Sequence, residues 1–122
     1  MDKITILFKQ KGYTVTDTSK AESYDLFCKK DGVPSRRVEI KSTIETGDIV
    51  NVTRTEVEVA RESSVEPYDL VVVHSIEVEE TDGEYITKNG QINIIENWYP
   101  EDENLTVISY RYRLPAKHLK VK

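Results

Sequence analysis

Cysteine is almost absent: Cys28 is the only one in 122 residues. That excludes an internal disulfide and any multi-cysteine metal site. A reduced, cytoplasmic protein is the expectation, or a nuclear one in a eukaryote. Long apolar runs are absent as well. No stretch approaches the ~20 residues of a membrane span, so no membrane partner is expected, and residues 1–3 open no secretory signal. Glycine and proline number only five and four, with no Gly-rich phosphate loop, repeat or linker. The chain therefore reads as one domain over residues 1–122. An excess of positive charge is missing too. Seventeen basic against 22 acidic residues leave a net charge of −5, which argues against a free-standing, non-specific coater of nucleic acid.

What is present is ordinary globular composition, 32% charged and 38% hydrophobic, too apolar for a disordered chain. The charge is unevenly spread. Arg111, Arg113, Lys117, Lys120 and Lys122 form a tail of +5, so the remainder carries −10. Glu77, Glu79, Glu80, Asp82 and Glu84 are the densest acidic stretch. Either these are solvated strands and a basic tail, or the tail faces a polyanion and the acidic edge faces away.

Ile4, Leu7, Phe8 and Lys11 share one side of a short helix that Gly12 stops. Alternation predicts strands over residues 13–17, 24–30 and 36–43, the last two joined by the Asp31-Gly32 turn. A short fourth strand is expected over residues 49–52. Thr53 and Glu56 have the spacing of a capping box, opening a helix that runs to about Ser64. Residues 70–73 are a continuous apolar run, as in a strand covered on both faces. Asp82-Gly83 and Asn89-Gly90 signal two hairpins, predicting a meander over residues 69–79, 84–87 and 91–97. A last strand is expected over residues 106–114, stopped by Pro115. This order predicts an α/β fold, a mixed sheet with helices packed on it and a C-terminal antiparallel β extension. The core is expected over residues 1–75 and the extension over residues 76–122.

Glu39-Ile40-Lys41 is the triplet that carries chemistry. On a strand, residues i and i+2 point to one face, so Glu39 and Lys41 project together while Ile40 buries. The hairpin brings Asp25 back towards Glu39. Two converging carboxylates suit Mg²⁺ or Mn²⁺, and the Ile40 backbone carbonyl adds a possible oxygen ligand. The plain alternative is a solvated ion pair on an exposed strand, worth ~0–1 kcal/mol. His74, His118 and Cys28 read as structural residues. Trp98-Tyr99 reads as a hydrophobic clamp, or as a platform for stacked bases.

The series Gly12-Tyr13-Thr14-Val15, Ser23-Tyr24-Asp25-Leu26, Arg37-Val38-Glu39-Ile40-Lys41-Ser42, Val52-Thr53-Arg54-Thr55-Glu56 with Ala60, and Tyr68-Asp69-Leu70-Val71-Val72-Val73 resembles the NO VEIN C-terminal domain family. That family is similar to the PD-(D/E)XK nucleases. The resemblance covers about residues 12–73. It implies a restriction-endonuclease-like core of helix, three strands, helix and strand, and hydrolysis of phosphodiester bonds in DNA. It implies Asp25 and Glu39 as metal ligands, Lys41 as the catalytic lysine and Glu56 as a possible accessory residue. Tyr24 stands where the superfamily carries proline, and the first helix carries no glutamate. Lys29, Lys30, Arg36 and Arg37, with Arg111 and Arg113, are the basic residues expected to meet phosphates. A homodimer, or fusion to helicase or restriction-type domains, is a further expectation. The alternative is a catalytically silent module that binds nucleic acid or protein within a larger defence or repair system.

Overall fold

The computed structural model describes residues 2–62 and 66–116. Helix α1 (Asp2–Gln10) leads into strands β1 (Thr14–Asp17), β2 (Leu26–Lys29) and β3 (Arg36–Ser42). Helix α2 (Arg54–Ala60) follows, then the long strands β4 (Tyr68–Thr81) and β5 (Glu84–Ile95), and a 3₁₀ turn over Asp102–Asn104. The five strands form one mixed sheet in the order β1-β2-β3-β4-β5. All neighbours are antiparallel except β3 and β4, which are parallel with Glu39 beside Leu70 and Lys41 beside Val72. A parallel pair needs a crossover, and α2 lies in it.

Residues 2–10 form an apolar stripe whose end is set by Gly12 at φ +93°. The Gly12 amide donates to the Lys9 carbonyl and the Tyr13 amide to the Phe8 carbonyl. This is a Schellman closure, with the Phe8 and Tyr13 rings in edge contact at 5.9 Å. Ile4 and Phe8 then pack on Leu26, Cys28, Val38 and Val71 to make the core on one face of the sheet. Helix α2 covers the other face, where Arg37 donates to the carbonyls of Val59 and Glu62. Among the described residues no helix is long and apolar enough to cross a membrane.

The mixed α/β architecture and the antiparallel β4–β5 extension match the expectation, and four local expectations are corrected. Residues 49–52 form no strand, and Ile49 stands 85% exposed. The preceding loop already occupies the neighbouring backbone of β4, with Thr43 bonded to Val73 and Ser75 to Glu45, so no free edge is offered. Asn89-Gly90 makes no turn: β5 runs through it. Ser75, opposite, also adopts positive φ, and the ladder resumes with His74 beside Gln91. The Asn-Gly preference for φ > 0 is thus used in a paired irregularity within a single 12-residue strand. Residues 106–114 are not a strand either, because alternation gives compatibility with a sheet but no neighbouring edge. Helix α2 stops at Ala60 with Arg61 as its C-cap; Ser64, where its end was expected, lies outside the described residues, as do Lys117, His118, Lys120 and Lys122.

Candidate functional site

Asp25 sits one residue before β2, where the β2–β3 ladder runs out. Its amide donates to the Val38 carbonyl at 2.8 Å, and its Oδ2 accepts from the Ile40 amide at 2.8 Å. The side chain thus takes over the pairing that β2 no longer provides. In a strand the amide and carbonyl of one residue face the same side, so the Ile40 carbonyl faces Asp25 as well.

Glu39 and Lys41 lie on the α2 face of β3. Ile40, expected to be the buried one, is only partly buried, whereas Glu39 is 5% exposed. The reason is α2, which roofs the face that alternation alone assigned to solvent. Lys41 Nζ stands 2.9 Å from Glu56 Oε1, 3.2 Å from its Oε2 and 3.9 Å from Glu39 Oε1. Glu56 Oε1 also accepts from the Thr53 amide at 2.9 Å while Thr53 Oγ1 accepts from the Glu56 amide. The capping box is therefore present, and the same carboxylate holds the lysine.

The charges at this site are unevenly balanced. Burial, then a hydrogen bond with Asp25 and its negative charge, push the Glu39 carboxyl up to about 8, against the pull of Lys41. Burial also works against the Glu56 carboxylate, but the Thr53 amide and Lys41 outweigh it and hold Glu56 below the usual range. The Tyr68 hydroxyl donates its one proton to the Ser23 carbonyl at 2.9 Å and stands 3.3 Å from Glu39 Oε2, and burial raises it. The sequence reading missed Tyr68. Only the parallel register, which sets it beside Arg37 on the same face as Glu39, marks it, and that register is not written in the sequence.

Among the described residues no group of three or more His, Cys, Asp or Glu side chains could hold a metal ion. The smaller donor set still fits one. Mg²⁺ takes one or two protein carboxylates and keeps waters for the rest of its shell. Asp25 and Glu39, with the Ile40 carbonyl, are hard oxygen donors, and a divalent cation would favour the ionised form of Glu39 that burial and the neighbouring Asp25 disfavour. A groove of about 250 Å³ lined by Lys41, Ser42, Thr43, Ile49, Val50 and Asn51 leads to the lysine.

The expected phosphate contacts are scattered. Arg37 is buried, donates to the Glu66, Val59 and Glu62 carbonyls and stacks on Tyr68. Its guanidinium is engaged within the fold, because α2 and the chain before β4 enclose it. Arg36 is held by Asp69 at 2.6 and 2.5 Å and by Asn97. Lys30 donates to the Lys11 carbonyl and lies over Tyr13. Lys29, Arg111 and Arg113 are exposed. Cys28 is buried, and burial pushes its thiol up to about 11.

No curated protein and no solved structure matches the chain. The model of the family described as Protein NO VEIN, C-terminal, matches residues 1–87. That span takes in both helices, β1 to β4 and the beginning of β5, so the family reaches into the hairpin that the sequence reading left outside it. It also contains Asp25, Glu39, Lys41, Glu56 and Tyr68, and on this match the chain belongs to the NO VEIN C-terminal family.

Proposed function

We propose that this domain is a nuclease of the PD-(D/E)XK type that hydrolyses phosphodiester bonds in DNA with Mg²⁺ or Mn²⁺. The observation that carries the reading is the convergence of Asp25, Glu39 and Lys41 at the end of the β2–β3 pairing, beside a groove open to Lys41. Asp25, Glu39 and the Ile40 carbonyl would hold the ion. The bound cation supplies charge neutralisation at the phosphate and a water of lowered pKa. Asp25 is fixed in place by the Ile40 amide, so the site is positioned by backbone rather than by a mobile loop. Lys41, held by Glu56, orients the attacking water and offsets charge that grows on the phosphate oxygens. Glu56 acts as a positioning residue. The restriction-endonuclease-like arrangement belongs to this proposal, supported by the order α1, β1, β2, β3, α2, β4. DNA would be the partner, delivered by a fused helicase or restriction-type domain or gripped by a homodimer.

A second reading has an observation of its own. Arg36 and Arg37, expected to neutralise phosphates, are engaged inside the fold. This favours a silent module that contacts nucleic acid or protein without cutting. Labelled single-stranded, duplex and branched DNA incubated with Mg²⁺ or Mn²⁺ separates the two. The nuclease reading expects metal-dependent cleavage by the wild type and none by Asp25→Asn. Absence of cleavage on all three substrates leaves the silent module.

A further inference from the structure

Residues 105–116 contain the largest apolar exposure of the described chain. Ile108, Tyr110, Tyr112 and Leu114 are 73%, 89%, 77% and 50% exposed. They alternate with Ser109, Arg111 and Arg113, a strand pattern with two unlike faces and no strand beside it. Elsewhere in the same chain an edge lacks a partner. Among the described residues strand β5 is paired with β4 on one side only, and no strand lies along its other backbone edge. Such an edge is a template for an added strand.

The two elements complement each other face by face. At the distal end of the hairpin, Glu80 lies beside Tyr85 and Val78 beside Thr87, so Tyr85, Thr87, Val78 and Glu80 share one face. Val78 and Tyr85 are 50% and 71% exposed. The opposite face carries Glu77, Glu79 and Glu84 with Thr81 and Ile86, and Lys88 paired to Glu79 is its one cation. A strand laid along β5 in the matching register places Tyr110 and Tyr112 beside Tyr85 and Thr87. Run antiparallel, with Tyr112 beside Tyr85 and Tyr110 beside Thr87, it places Arg113 beside Glu84 and Arg111 beside Ile86, whose neighbour on β4 is Glu79. We propose that residues 106–114 of one copy add as a strand to the open edge of β5 in a second copy, reciprocally, forming a two-fold dimer.

Reach argues for a second copy over the chain's own segment. Asp102 is held on the α2 side by Arg61 at 2.6 Å, and Trp98 is bonded to Tyr68 at the opposite end of β4 from the hairpin tip. From Asp102 a fully extended chain carries Arg111 roughly 30 Å and Arg113 roughly 37 Å. In the register above Arg111 must reach the level of Glu79, about 36 Å up β4 from Tyr68, and Arg113 that of Thr81 and Glu84, about 43 Å, at ~3.3 Å per residue, and the path must also cross to β5. In this register the segment's own arginines therefore fall short, whereas those of a second copy are untethered.

Sedimentation of the full chain over a range of concentrations tests this. Wild type should show a monomer–dimer equilibrium. Arg111→Glu/Arg113→Glu should weaken it about tenfold or more, and Glu79→Lys/Glu84→Lys should do the same, because like charges then face one another. Mixing the two variants should restore a dimer, since only an intermolecular contact can be rescued in trans. Circular dichroism should be unchanged in both variants, as all four residues are exposed. A wild type that stays monomeric overturns the proposal, whether or not hydrogen exchange finds residues 106–114 protected by the chain's own β5. So does a dimer indifferent to the charge reversals.

Discussion

Glu39 and Lys41 separate what a side chain does for the fold from what it does for chemistry. Glu39 is a buried carboxyl raised from 4.5 to about 8. Between those two values the folded protein binds at this site more protons than the unfolded chain does, so the stability this group contributes is fully present below pH 4.5 and is lost as pH rises towards 8. Glu39→Gln removes that titration. Urea unfolding at pH 5, 6.5 and 8 should show a flatter pH profile for the variant and a gain over wild type at pH 8. A wild-type stability that rises between pH 5 and 8 in step with the variant would contradict the raised carboxyl. Lys41 is the opposite case. As an exposed pair it would contribute under ~1 kcal/mol, but it is partly covered and bonded to both Glu56 oxygens. Lys41→Ala should therefore cost about 1.5–3 kcal/mol, the range for hydrogen bonds to charged groups. On the nuclease reading the same variant loses cleavage about 10²–10⁴-fold with DNA affinity little changed, because the lysine acts on charge that appears only in the transition state. Cleavage and binding assays on one preparation check both halves.

At the scale of elements, the capping box of α2 ties stability to the site. Thr53→Ala removes the bond to the Glu56 amide and should cost about 0.5–2 kcal/mol, the usual range for an N-cap. It should also release Glu56 from its register with Lys41, lowering cleavage without touching the reacting atoms. Thr53→Ser, which keeps the hydroxyl, should rescue both, and chemical unfolding beside the cleavage assay reads the two effects. The Thr53–Glu56 spacing was legible in the sequence because capping is local chemistry. So was the α1 stop at Gly12, and so was the Asp82-Gly83 turn. Glu39 and Lys41 were legible as neighbours on one face, since pleat alternation is also local. What was not legible depends on neighbours distant in sequence. The burial of Glu39 needs α2 above it, Arg37 is enclosed by the chain before β4, and Tyr68 reaches Glu39 through the parallel register of β3 and β4. Asn89-Gly90 shows the same limit: a dipeptide specifies positive φ, but only the irregularity at Ser75 opposite decides that the strand continues.

Over the whole molecule, charge is sorted into an acidic hairpin end and a basic C-terminal segment on a chain of net −5. The described cations that remain exposed and outside internal ion pairs include Lys29, Arg111 and Arg113, since Arg36 and Arg37 are engaged within the fold. The proposed DNA contact and the proposed strand exchange therefore draw on the same two arginines. Arg111 and Arg113 cannot at once face the glutamates of a second copy and the phosphates of DNA. DNA binding and dimerisation should compete, each weakening the other by the same factor, as linkage requires. Sedimentation of the full chain with a short duplex at low salt, without divalent metal so that nothing is cut, should convert dimer into monomer–DNA complex. Each phosphate contact contributes about −0.9 to the slope of log affinity against log salt. Arg111→Ser/Arg113→Ser should thus flatten the slope by roughly 2, and should also lower the dimer population in the absence of DNA. A duplex that binds the intact dimer with an unchanged slope would show that the two surfaces do not share these residues, and the phosphate contact would then have to be sought around Lys29 and the groove at Lys41.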